Sequence, residues 1–253
     1  MDVFYTDLDQ TLIYSYKHEI GKEKRNVEIY QGREVSYMTE KTYRLLLELQ
    51  KRLCIVPVTT RTTEQYKRID FGIGPIRYAL VCNGGVLLKD GQQDAAWYEQ
   101  SLRLVKDSRE EMERAAWYLE RETDRIMEVR DIRQLFVFTK CRYAQHAVRR
   151  LRKALHPGET EIFSNGEKVY VVPKNLNKGA AAARFTRYIG AQRTAAAGDS
   201  VFDIPMLAQA DLAMAPAGCG WPELLSRESV HEMAGKQVFS DELLEFLSAH
   251  VSF

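Results

Sequence analysis

Asp7-Leu8-Asp9-Gln10-Thr11, directly after the apolar run Val3-Phe4-Tyr5, decides how the rest of this chain is read. It sets two carboxylates two residues apart where a first β-strand runs out into a loop. Side chains alternate along a strand, but a chain leaving the sheet can turn both acids toward one small volume. Crowded acids repel, so one keeps its proton unless a cation stabilises both anions. That pairing suits a carboxylate nucleophile beside a carboxylic proton donor, with a divalent ion at hand. Taken alone, D-x-D-x-T also fits a solvated turn in which Thr11 caps a short helix, so the motifs that follow carry the decision.

Outward from this stretch, short apolar strands are expected at 3–6, 54–59, 78–82, 194–197 and 211–214. Helical patterns separate them. One spans 39–51 with Thr39 as N-cap, a capping box Thr62-Thr63-Glu64-Gln65 opens the next, and Asn177 starts a third that Gly190 stops. Strand–helix alternation of this kind predicts an α/β fold with a doubly wound, Rossmann-like parallel sheet, its ligand at the carboxyl ends of the strands.

The middle of the chain follows another pattern. Two amphipathic helices (107–122 and 143–155) and strands at 126–129, 134–139, 159–163 and 169–172, with an Asn165-Gly166 hairpin turn, predict an inserted α+β cap. The expected division is a catalytic core of 1–84 with 174–253 and a cap of 85–173. Residues 13–38 are too long for an ordinary βα loop, and 26–30 with 34–38 read as a hairpin flap around Gln31-Gly32-Arg33.

Composition narrows the class. The 253 residues carry 36 basic and 35 acidic side chains for a net charge of +1, which points to neither a nucleic-acid partner nor a membrane surface. The first strand begins too early for a signal peptide before Asp7, and no apolar run approaches the ~20 residues that span a bilayer. Cys54, Cys82, Cys141 and Cys219 are scattered without C-x-x-C spacing, as free thiols in a cytoplasmic protein would be.

Three further places point to the edge where Asp7 lies. Val58-Thr59-Thr60-Arg61 closes the second strand, and a hydroxyl there can donate to a bound oxyanion. Lys178 opens a helix, a position its charge disfavours unless it holds an anion. Gly198-Asp199-Ser200-Val201-Phe202-Asp203 follows the 194–197 strand, and Ser200 with Asp203 also fits a helix capping box. Asp7, Asp9 and Asp199 are hard oxygen ligands of the kind Mg²⁺ takes, with Thr59 and Lys178 as donors to phosphate oxygens.

In this order the motifs resemble the haloacid dehalogenase-like superfamily: Asp7, Asp9 and Thr11, then Thr59, then Lys178, then Gly198, Asp199 and Asp203. The insert, Asn83-Gly84 and Lys178-Gly179 resemble its Cof-type, sucrose-phosphatase-like branch. The resemblance implies a phosphatase of small phosphate monoesters, sugar phosphates or related metabolites. Asp7 would be the nucleophile and Asp9 the acid and base, while Thr59 and Lys178 would offset phosphoryl charge. Mg²⁺ would be held by Asp7, Asp199, the carbonyl of Asp9 and, in support, Asp203. Thr11, Thr60, Arg61, Asn83 and Ser200 would face the substrate. A phosphotransferase or mutase on the same scaffold, or a non-catalytic sensor of a phosphorylated ligand, are the alternatives. Gln10, Thr60 and Phe202 depart from the glycine, glycine and asparagine usual in that branch, and the 13–38 flap is unlike its short loop.

Overall fold

The computed structural model describes residues 2–220 and 230–250. The chain divides into two compact units, Met1–Asp94 with Lys178–Phe253, and Ala95–Asn177. The first boundary falls at Asp94, beyond the expected residue 84, because Val86–Lys89 pairs antiparallel with Tyr78–Val81 and Gln92–Gln93 adds a third strand. The second falls after Asn177, and the Lys174 N–H still bonds the carbonyl of Glu159 in the inserted unit.

The first unit is built on five parallel strands in the order Cys54–Pro57, Asp2–Thr6, Arg193–Ala197, Leu212–Ala215, Val230–Glu232. Asp2–Thr6 has the second strand on one side and a much later one on the other, so its carboxyl end is the topological switch point where such sheets bind ligands. Val3, Phe4 and Tyr5 are all buried because helices cover both faces. Phe4 packs in a cluster with Leu46, Leu49, Leu243 and Leu247 from helices Glu40–Leu49 and Phe239–His250. Tyr5 faces the opposite way, edge-on to Phe185 of helix Lys178–Ile189, and its hydroxyl donates to the Ala182 carbonyl at 3.1 Å.

In this unit one expected strand is corrected and one strand is added. The 78–81 segment belongs to a separate antiparallel sheet. It touches the parallel one through the Val58–Leu80 bridge and the Thr59 N–H to Leu80 carbonyl bond of 2.9 Å. Pro57 has no N–H to offer that neighbour, so the ladder is interrupted there. Val230–Glu232 was not anticipated, being three residues long and largely polar. The local signals held better. Thr39 accepts the Thr42 N–H as N-cap, Thr62 and Gln65 form the capping box, and Gly190 ends its helix at φ +64°.

The flap is a hairpin of Lys24–Tyr30 and Arg33–Thr39, closed by Gln31 and Gly32 at positive φ, with Tyr14–Ser15 added as a third strand. Its register breaks on both sides of Glu28.

The inserted unit has an antiparallel sheet in the order Thr160–Asn165, Lys168–Pro173, Phe136–Lys140, Arg130–Ile132. Helices Arg109–Glu120 and Ala144–Ala154 pack Ala115, Leu119, Val148 and Leu151 onto Val137, Val169 and Val171, and Gly166 sits at φ +57° in the expected turn. Helix Ala95–Leu104 was not anticipated, since it buries only Trp97 and Ser101 and shows little apolar stripe. The strand expected at 126–129 begins instead at Arg130, because this stretch makes single contacts, such as the Ile126 N–H to Lys140 carbonyl, and no ladder. Among the described residues no helix is long and apolar enough to cross a membrane.

Candidate active site

The Asp7 N–H donates to the Ala197 carbonyl at 2.9 Å, so the strand register carries one residue past Thr6 and seats Asp7 at the sheet edge. The chain then closes on itself, with the N–H groups of Leu12 and Ile13 both reaching the Leu8 carbonyl at 2.9 Å. Gln10 lies at φ +63°, the left-handed region in which glycine is free and a side chain costs about 1–2 kcal/mol. That backbone requirement accounts for the glycine usual in this place and makes Gln10 a tolerated exception.

Lys178 enters this edge from the start of its helix, with its side chain only 2% exposed. Its ammonium is 2.5 Å from Asp7 Oδ1 and 2.6 Å from Asp203 Oδ1. Two carboxylates thus outweigh the unfavourable helix dipole. Two glycines allow the approach. A Cβ on Gly179 would lie 2.2 Å from the Pro205 carbonyl oxygen, and one on Gly198 would lie 2.3 Å from Asp203 Cβ. Close backbone packing therefore draws Lys178 and Asp203 into the same space.

Carboxylate oxygens of Asp7, Asp199 and Asp203 all lie within 4.8 Å of one another. Thr11 Oγ1 donates to Asp199 Oδ1 at 3.3 Å. Asp203 Oδ2 accepts the Ser200 N–H at 3.1 Å and the Ser200 hydroxyl at 2.9 Å. The capping-box expectation is corrected here. The helix begins at Ile204 with Asp203 as its N-cap residue, and the Ser200 hydroxyl donates to the carboxylate instead of capping. Ser200 and Thr11 thus both orient acids in this arrangement.

Crowding shows in the electrostatics. Burial, then the charges of Asp203, Asp199 and Asp9, push Asp7 well above the ordinary carboxylate range, with Lys178 opposing. Burial and Asp203 push Asp199 from 3.8 to about 6. Burial works against the Lys178 ammonium, yet Asp203 and Asp7 prevail and hold its pKa above the ordinary value.

A carboxyl with a raised pKa binds its proton more tightly folded than unfolded, so metal-free protein loses stability as pH rises from 3.8 to about 6. A divalent cation favours the ionised carboxylates, and Mg²⁺ should raise the melting temperature more at about pH 8 than at about pH 5. Equal shifts at the two pH values in calorimetry would show that these acids do not hold the ion.

The second motif packs against the antiparallel sheet that begins with Tyr78–Val81. Thr59 is buried, its hydroxyl accepts the Arg61 N–H at 3.1 Å, and its carbonyl accepts the Asn83 N–H at 2.9 Å. Cys82 and buried Asn83 both take positive φ in the turn that follows, and Thr60 is half-buried between its neighbours.

Arg61 and Asp9 are joined side chain to side chain. The Arg61 fork grips Asp9 from Nε to Oδ2 at 2.8 Å and from Nη2 to Oδ1 at 2.7 Å, while Nη1 meets Glu28 Oε2 at 2.9 Å. Asp9 is bound to Arg61 through its side chain, and the ligand expected from it is its backbone carbonyl. Glu28 and its second partner Arg68 were missed, because an acid buried at a strand irregularity leaves no trace in alternation.

The chain matches the haloacid dehalogenase-like hydrolase family over residues 4–217. Among solved structures it is similar to a sucrose-phosphatase from Synechocystis, in complex with sucrose and phosphate, at 14% identity and a TM-score of 0.67, covering 98% of this chain and 96% of that one. A haloalkanoate-superfamily phosphatase from Bacteroides thetaiotaomicron aligns at 18% identity and TM-score 0.61, with 98% and 94% covered. Trehalose-6-phosphate phosphatase from Aspergillus fumigatus aligns at 14% and 0.52, with 98% and 91% covered. No curated protein matches the chain. At such low identities the structures speak for the fold, but the family match spans nearly the whole length, and the chain belongs to the haloacid dehalogenase-like hydrolases.

Proposed function

We propose that this chain is a Mg²⁺-dependent phosphomonoesterase acting on small phosphorylated metabolites, sugar phosphates foremost, in the cytoplasm. The observation that carries it is the Lys178 ammonium set between Asp7 and Asp203, with Asp199 alongside, at the switch point of the sheet. Three hard carboxylates within 4.8 Å fit a small divalent cation. Asp7, Asp199 and Asp203 would hold it, with the Asp9 carbonyl. When bound, it supplies positive charge that lets Asp7 stay ionised and offsets charge on the phosphoryl oxygens.

The residues supply the rest. Asp7 attacks phosphorus in line, and its new O–P bond forms as the ester O–P bond breaks. Asp9, with one oxygen turned from Arg61 and protonated, gives that proton to the departing alkoxide oxygen. Asp9 then takes a proton from water as the water oxygen attacks phosphorus, releasing inorganic phosphate and returning Asp7 as a carboxylate. Lys178 stabilises charge on the phosphoryl oxygens. The Thr59 hydroxyl already accepts the Arg61 N–H, which leaves its own proton for the same task. Ala95–Asn177, inserted in sequence between Thr59 and Lys178, is proposed as the cap that sets which ester is taken.

Sugar phosphates come foremost because fold neighbours include sucrose- and trehalose-6-phosphate phosphatases. The test is release of inorganic phosphate from a broad panel of monoesters, with Mg²⁺ or with a chelator. Turnover is expected on several esters and only with the metal. Folded, Mg²⁺-supplied protein that turns over none of them would overturn the reading.

A further inference from the structure

Glu28 lies outside every motif, on the hairpin that leaves the Asp7 loop, and yet its side chain is 2% exposed. A carboxylate that deep is held by a purpose-built set of donors. Arg61 Nη1 stands 2.9 Å from Oε2, the Ser36 hydroxyl donates to Oε2 at 2.7 Å, and Arg68 Nη2 stands 3.0 Å from Oε1. The backbone is shaped for this. The hairpin register breaks on both sides of Glu28, as bulges do when they re-aim a side chain. Asn26 Nδ2 holds the break by donating to the carbonyls of Glu28 and Ser36. A Glu28–Ile69 bridge and the Asp70 N–H to Val27 carbonyl bond of 2.8 Å tie the hairpin to the segment bearing Arg68.

The other end of the Arg61 guanidinium forks onto Asp9, whose side chain is itself half exposed. A planar guanidinium fixed at one edge presents its remaining donors in a fixed direction. We propose that Glu28 is a positioning residue: it fixes Arg61, and through Arg61 it sets where the Asp9 carboxylate stands. The chain of contact is Glu28 to Arg61 to Asp9, and the long flap is the element that delivers it. The consequence for turnover rests on the acid–base role given to Asp9 above.

The experiment compares Glu28→Gln and Asp9→Asn with wild type by two readouts. The first is the Arg61 Nε–H resonance in arginine-labelled protein, identified by its loss in Arg61→Lys. It should move in Glu28→Gln in the direction it moves in Asp9→Asn, and an unmoved resonance overturns the proposal. The second is kcat/KM on esters of graded leaving-group basicity, with Mg²⁺ present. A displaced acid should cost Glu28→Gln about 10- to 100-fold on alkyl esters but less than about threefold on activated aryl phosphates, which depart without a proton. A loss of equal size on every ester marks a merely structural role and overturns it. Glu28→Gln takes one negative charge from between Arg61 and Arg68, so Glu28→Gln with Arg68→Met, which removes one charge of each sign, is measured beside it with the same outcomes. If wild type turns over no ester, the phosphatase reading falls, and the resonance still decides whether Glu28 sets Asp9.

Discussion

Asp7→Asn should fold, bind Lys178 and release no phosphate, with kcat lower by about 10³-fold or more. The amide oxygen can still accept from the Lys178 ammonium now 2.5 Å from Asp7 Oδ1, so the local hydrogen bond survives. What disappears is an ionisable oxygen able to form an ester with phosphorus. Removing a carboxylate that burial and three acidic neighbours disfavour should also leave metal-free protein at least as stable as wild type. The two effects separate chemistry from folding: melting temperature equal or higher, turnover gone. Acid-quenched wild type caught during turnover should in addition carry phosphate on a peptide containing residue 7. Asp7→Asn that keeps a tenth of wild-type kcat would place the nucleophile elsewhere.

That prediction could be framed from sequence because the four motifs each sit at a strand end or helix start, where local signals are strong. Asp7, Thr59, Lys178 and Asp199 follow short apolar runs or open a helix, and a parallel sheet delivers such ends to one edge whatever lies between. The caps Thr39 and Thr62 were legible for the same reason, since a side chain bonds a backbone group three residues away. What was not legible depends on distance in sequence. Glu28 meets Arg61 across 33 residues, and nothing in either neighbourhood marks the pair. Pro57 interrupting the ladder toward 78–81 was visible as a residue, but its effect depends on which edge of the strand its missing N–H faces. Gly179 and Gly198 read as motif letters until the structure gave their cause, a backbone carbonyl and an aspartate where a Cβ would stand.

Lys178→Met should damage the protein in a way that depends on pH and on metal. Methionine fills nearly the same volume, so the change removes charge more than packing. Asp7 and Asp203 then lose their buried counter-ion, and breaking a buried pair costs about 3–5 kcal/mol when the remaining charges persist. They need not persist at low pH. The Lys178 charge lowers both Asp7 and Asp199, so its loss lets both hold protons to higher pH, and the cost appears as pH rises. Mg²⁺ should recover part of the stability by replacing the missing positive charge, but not the turnover. A donor lost from the phosphoryl oxygens lowers kcat by about 10²–10³-fold. Gly179→Ala is the companion measurement, since it keeps every charge but sets a Cβ 2.2 Å from the Pro205 carbonyl oxygen and must move Lys178 or the facing turn. It should lose turnover with no new pH dependence of stability. Were both variants to show the same pH-dependent loss, position and not charge would be the contribution of Lys178, and the electrostatic account of this edge would fail.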